Sequence, residues 1–229
     1  MVVLLASPTG LYAETRGQLI FSDDFDRDEA TTDKEDIGLG WTTNSAWRAP
    51  GKKQVDLSEG ALLAATHPDA GHALVLFHAA ELRNGEVEFR FLMDASHGIG
   101  VEFADPDCKT VHAGHLCMVR IGGGKLTTSD LKTGNMDLKI RERRKAGEKS
   151  DELTSLLKTK TKSFPIKIQS DHWHTLRFSV RDARLTAFLD QEEIGSFVSE
   201  GMAHPTKKQL RINIPKSAAI DDVKIWKFE

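Results

Sequence analysis

At 229 residues, with 39% hydrophobic and 28% charged side chains, the chain has the length and balance of one large soluble domain. A net charge of −3 supplies no basic field, which argues against nucleic acid as a partner. No apolar run is long enough to span a bilayer.

In chain order, Val2-Val-Leu-Leu-Ala-Ser-Pro-Thr-Gly-Leu-Tyr-Ala13 precedes Glu14 as a short apolar stretch ending in a small residue. That is the pattern of a secretory leader lacking its positive n-region, so residues 1–13 are expected to direct export to the periplasm or cell exterior. A first strand is predicted over 18–25 and a polar loop over 26–36. Short strands over 41–47 and 60–66 flank the Pro50-Gly51 turn, and Ala73-Leu-Val-Leu-Phe77 is a fully apolar strand.

Residues 84–93 and 96–103 then alternate strictly. Val87, Phe89, Phe91 and Met93 share one face with Glu86, Glu88 and Arg90 on the other, and Ile99, Val101 and Phe103 alternate with Glu102. Period two marks half-buried strands, predicted here as an adjacent hairpin. A strand over 115–121 ends in Gly122-Gly-Gly124, read as a turn because no Gly-Lys-Ser/Thr follows it.

Residues 134–163 are rich in Lys and Arg. Leu153, Leu156 and Leu157 recur at helical spacing, which predicts a single amphipathic helix laid on the domain as an insertion. The basic run 139–149, broken by Glu142 and Glu148, reads as a solvated loop or helix face. Strands resume over 164–168, 172–180, 184–190, 194–198, 209–214 and 220–228. About a dozen strands and one helix define an all-β, two-sheet jelly-roll sandwich over 18–229.

Cys108 and Cys117 are nine apart, a separation that suits a disulfide between hairpin arms or two unpaired thiols equally. Two cysteines are too few for a zinc cluster.

Asn84-Gly-Glu-Val-Glu-Phe-Arg-Phe, His97-Gly-Ile-Gly-Val, Trp173-His-Thr-Leu-Arg-Phe with Asp190-Gln-Glu, and Asp221-Asp-Val-Lys-Ile occur in an order that resembles concanavalin A-like, laminin G-like jelly rolls. The chain looks most similar to bacterial 3-keto-disaccharide hydrolase-like domains, loosely called family 16 glycoside hydrolases. The resemblance spans about residues 18–228 and implies a carbohydrate-engaging domain. True family 16 glucanases carry Glu-x-Asp-x-x-Glu on one strand. The nearest match here is Glu86-Val-Glu88, with Phe91 where the last Glu belongs, so a glucanase of that type is not expected.

Opposite the predicted apolar faces lie Glu86, Glu88, Arg90, Glu102, Arg120, Trp173 and Arg177. On one concave face these would bind a sugar: Trp173 stacking a pyranose ring, Arg90, Arg120 and Arg177 forking onto oxygens, and Glu88 or Glu102 exchanging a proton. The competing reading is a solvent face of cross-strand ion pairs. His97, beside Gly98 in a turn, is a further candidate for ligand contact. His112 and His115, three apart, fall on opposite faces of a strand unless a loop intervenes. His174 is expected as a satisfied edge or core histidine.

Pairing of the terminal strands would bring Asp23-Asp24 toward Asp221-Asp222, with Asp24 and Asp222 as candidate ligands of a structural Ca²⁺. No cofactor is required. The expected function is an exported carbohydrate-engaging domain, possessing 3-keto-disaccharide hydrolase-like activity in its catalytic form. The alternatives are a non-catalytic glycan-binding module and an envelope protein that docks a protein partner through the 134–163 helix.

Overall fold

The computed structural model describes residues 17–229 apart from Ala30 and Thr32, so the leader expected over 1–13 lies outside the described residues. The chain opens with β1 (Gln18–Asp23), β2 (Thr42–Thr43), the one-turn helix α1 (Ser45–Arg48), β3 (Val55–Ser58), β4 (Ala61–Ala65) and β5 (Leu74–Leu82). Next come β6 (Asn84–Leu92), β7 (Gly98–Ala104), β8 (His115–Gly122) and β9 (Lys125–Asp130), then helices α2 (Leu138–Lys145) and α3 (Asp151–Thr159). β10 (Thr161–Pro165), β11 (His174–Arg181), β12 (Arg184–Leu189), β13 (Glu192–Val198), β14 (Lys207–Ile214) and β15 (Ser217–Phe228) complete it.

The strands form two antiparallel sheets. The first runs β13-β12-β11-β6-β15-β4-β3 with β1 also paired to β15, and the second runs β10-β9-β8-β7-β14-β5-β2. The fold is a concanavalin A-like jelly-roll sandwich, as the strand pattern predicts.

The alternation that marks β6 and β7 is real, but the hairpin is not. β6 pairs with β11 and β15 in the first sheet, whereas β7 pairs with β8 and β14 in the second. Residues 93–97 carry the chain across the sandwich in a turn held by the Asp94 carboxylate, which accepts from the Ser96 N–H (2.7 Å). Apolar faces of consecutive strands therefore meet through the core instead of lying side by side. Phe89, Phe91, Phe103 and Phe178 are fully buried, and Phe103 meets Phe178 across the sandwich at a centroid distance of 5.1 Å. Each such ring contributes about 1.5–3 kcal/mol by leaving water.

Other expectations need adjusting. Only Thr42 and Thr43 of 41–47 are extended; the chain then turns into α1. β3 and β9 are additional strands. Polar Thr128 and Asp130 occupy inward positions of β9, which hides its alternation. The insertion holds two helices where one is expected. Asp137 caps α2 by accepting from the Ile140 N–H (3.0 Å), Ser150 caps α3 at Leu153 (3.3 Å), and Arg143 grips Glu148 through two bonds (2.8 and 2.6 Å).

Of the two arrangements open to the cysteines, the structure has the unpaired one and not the disulfide: Cys108 and Cys117 are both free. Cys117 points into the core from β8, while Cys108 sits in the loop after β7, so the two thiols belong to different environments. Burial pushes the Cys117 thiol up to about 12.

Candidate functional site

The outer face of the second sheet is set by strand register. Antiparallel pairing aligns Phe77 on β5, Arg211 on β14, Glu102 on β7 and Met118 on β8 in one row. Directly opposed side chains on one face are the pairs that touch. The Arg211 guanidinium donates to Glu102 Oε1 (3.1 Å) and to the Ala113 carbonyl (2.8 Å), and its Nε donates to Gln209 (2.7 Å).

A register shift between β7 and β8 at Phe103/Ala104 turns the start of β8. Such a bulge re-aims a side chain. Here it brings His115 Nδ1 to 2.8 and 2.9 Å from the two Glu102 oxygens, where the ring N–H donates to the carboxylate. The turn before β8 is tight. Ala113 and Gly114 both have positive φ (50° and 75°), and a Cβ on Gly114 would lie 2.2 Å from the Asp105 carbonyl oxygen.

Over this cluster lies a cavity of about 380 Å³ lined by Trp47, Phe77, Glu102, His115, Arg211 and Met136, among others. Glu102 is only 2% exposed, whereas Trp47 is 61% exposed and stacks on Phe77 (6.2 Å, 22° between planes). The insertion supplies one wall: the Met136 carbonyl accepts from the His112 N–H (2.8 Å), and Arg141 donates to the Met136 sulfur (3.6 Å). Desolvation first, then the charges of Arg141, His115 and Lys145, hold His112 below the usual histidine range. A loop does intervene between His112 and His115, and their rings stack at 6.2 Å instead of facing apart.

The remaining predicted site residues separate into groups. Glu86, Glu88, Arg90, Trp173 and Arg177 gather on or beside the outer face of the first sheet, so they do not converge with Glu102. They engage one another. Arg177 donates to Glu86 (2.9 Å) and lies 3.9 Å from Glu88, Arg90 donates to Asp221 (2.9 Å), and the Arg90 guanidinium covers Trp173 at 4.8 Å from its centroid. A polar cleft of about 490 Å³ remains there, lined by Glu88, Arg90, Arg177, Gln191, Asp222 and Lys224 among others. Arg120 is on the second sheet one row from Glu102, opposite Gly100, and is exposed. His97 lies at the chain crossing, its ring nitrogen 3.3 Å from the Ser217 carbonyl oxygen.

The terminal strands do pair, Asp23 lying opposite Val223. Cations meet the carboxylates there: Arg90 lies 3.6 Å from Asp222, as does Lys224, and Arg27 binds Asp23 at 2.6 and 2.9 Å. Burial and the neighbouring Asp222 and Asp24 charges nevertheless push the Asp221 carboxyl up. Among the described residues no group of three or more His, Cys, Asp or Glu gathers to hold a metal.

Four cavity residues escape sequence reasoning. Trp47 sits in a one-turn helix that reads as strand, and Phe77 in an all-apolar strand that shows no polar face. Arg211 becomes a neighbour of Glu102 only through β7–β14 pairing, and His115 through a bulge. The sole local signals are an aromatic beside Arg48 and an Arg within the alternating run 209–214.

Comparison with known proteins supports the architecture. No protein-family model matches the chain, and no curated protein matches it by sequence. Among solved structures, it is similar to a non-specific endo-β-1,3(4)-glucanase of glycoside hydrolase family 16 (TM-score 0.59, 12% identity, 92% of this chain and 91% of that one). It is also similar to the carbohydrate recognition domain of Emp47p (0.54, 14%, 91% and 96%). A third likeness is to the carbohydrate binding module CBM66 from Bacillus subtilis (0.52, 9%, 80% and 93%). At these identities the likeness shows the fold alone, a concanavalin A-like jelly roll, and a fold hosts many functions.

Proposed function

We propose that this protein engages carbohydrate in the cavity over Glu102, on the outer face of the second sheet. The observation that carries the reading is the meeting of an exposed indole with a buried carboxylate–imidazole–guanidinium cluster in one cavity of about 380 Å³. Cavities of that size with a few convergent polar groups are where small ligands bind. A pyranose offers an apolar C–H face and a rim of hydroxyls. Trp47 stacks the face, and Arg211, His115 and Asn213 reach the rim. The fold's similarity to a glucanase, a carbohydrate recognition domain and a carbohydrate binding module supports this reading. The leader-like 1–13 stretch supports an exported site of action.

The Glu102–His115 contact favours a second reading, glycoside hydrolysis of the 3-keto-disaccharide type. Glu102 fixes the ring through Nδ1, which leaves Nε2 as the nitrogen that would give or take a proton at the glycosidic bond or a water. Docking of a protein partner on 134–163 is the remaining alternative, and Met136 in the cavity lining gives that segment a role without one.

A glycan array probed with the wild type, Trp47→Ala and Trp173→Ala tests the site. Binding is expected in the wild type and in Trp173→Ala, and lost in Trp47→Ala. The converse pattern would place the site on the first sheet, and no wild-type binding would remove the carbohydrate reading. Turnover of a 3-keto-disaccharide that vanishes in His115→Asn would establish the hydrolytic form.

A further inference from the structure

The cavity's charge identifies its ligand more narrowly, and this step rests on the carbohydrate reading above. Glu102 is the one carboxylate among the residues that line it, and Arg211 compensates it at 3.1 Å. The other ionisable groups that line it are Arg48, a fixed cation, and the imidazoles of His72, His112 and His115, of which burial and neighbouring cations hold His112 toward its neutral form. Beyond the lining, α2 begins two residues after Met136, a lining residue against whose sulfur Arg141 is fixed, and the helix carries Lys139, Arg141, Arg143, Arg144 and Lys145 with Glu142 as its only acid. Glu142 is taken by Lys145 (2.8 Å), and Glu148 by Arg143. This positive edge stands on a chain whose net charge is −3, so it is not a reflection of composition.

We propose that the ligand is an acidic glycan, bearing uronate or sulfate groups, whose sugar ring stacks on Trp47 while its anionic groups reach Arg48 and Arg141. Guanidinium groups suit both anions because their fork of N–H donors matches two oxygens at once. A neutral sugar would use Arg211 and Trp47 but make no use of the charges of Arg48 and Arg141.

Calorimetric titration of the full chain tests this with three oligosaccharides of equal length: a neutral β-glucan, an oligouronate and a sulfated glucan. At least one acidic ligand is expected to bind tenfold or more tightly than the neutral one, and raising the salt from 50 to 300 mM is expected to remove most of that preference. Arg48→Ser with Arg141→Ser should reduce acidic binding about tenfold and leave the neutral ligand unaffected. Unchanged thermal melting would exclude misfolding of the double variant, in which Arg48 is exposed and Arg141 half-buried. The tighter acidic arm identifies the group as carboxylate or sulfate.

Equal or tighter binding of the neutral glucan would overturn the proposal and leave the carbohydrate reading standing. Binding of none of the three, with an empty glycan array, would remove both. Equal affinity for a single-stranded oligonucleotide would also overturn it, since the edge would then select charge and not sugar.

Discussion

Glu88 and Glu102 stand on opposite outer faces of the sandwich. Glu88 faces outward from β6 in the first sheet, beside Arg177, and Glu102 from β7 in the second, beside Arg211 and His115. The whole core lies between them, so they cannot share a substrate. Any carboxylate chemistry at the Glu102 cavity uses Glu102 with His115, and Glu88 belongs to a separate array of ion pairs.

That separation predicts unequal effects of two matching substitutions. Glu102→Gln should abolish turnover if the protein is hydrolytic, and weaken glycan binding by loosening Arg211 and His115. Glu88→Gln should change either by less than twofold. Truncation by Glu102→Ala should cost about 3 kcal/mol of stability because it removes the counter-charge of the buried Arg211 guanidinium, which keeps only its bonds to Ala113 and Gln209. Urea denaturation of both variants beside calorimetric titration checks this.

Trp47→Ala separates binding from folding. An indole 61% exposed contributes little to the core, so stability should shift by no more than about 0.5 kcal/mol. Loss of glycan binding with an unchanged urea midpoint is the expected outcome.

Acid should destabilise the fold through Asp23. Burial opposes its ionised form, but hydrogen bonds from Arg27, the Phe25 N–H and the Trp41 indole (2.8 Å) outweigh it and hold the carboxyl below its ordinary range. Asp105 is depressed in the same sense, with burial opposed by Thr206, the Asp107 N–H and Lys208. A carboxyl with a depressed folded-state pKa contributes its full stability above the unfolded-state value, about 3.9, and loses it as pH falls toward the folded-state value. Urea midpoints should therefore be flat for these groups above about pH 5 and fall below about pH 4. Asp23→Ala should cost about 3 kcal/mol at pH 7 and show a shallower fall.

The two thiols should differ in reactivity. Cys117 is fully buried with its thiol pushed up to about 12, whereas Cys108 is partly exposed near the Thr110 hydroxyl. The thiolate is the reactive form, so titration with an aromatic disulfide should give one equivalent in the native protein and two in denaturant. Two equivalents in the native state would contradict the buried position of Cys117.

The sequence by itself determined which faces are apolar. Alternation in 84–92 and 98–104 marks Phe89, Phe91, Val101 and Phe103 as core, and all four are fully buried, because side-chain direction in a strand follows from the local backbone alone. The expectation for His174 rested on the same periodicity, and its ring is buried with Nδ1 2.7 Å from Asp190. The amphipathic helix over 151–158 was legible from its leucines; α2 was not, since its one buried side chain is Ile140.

Tertiary structure alone decided which polar faces meet. Five residues between Leu92 and Gly98 send the chain to the other sheet, and nothing local distinguishes that crossing from a hairpin turn. Strand pairing then sets Arg211 beside Glu102 across 109 positions of sequence, and a bulge adds His115. Period two specifies in or out for each strand. Sheet assignment and register are set by the packing of all the strands together, and they alone assemble the cavity.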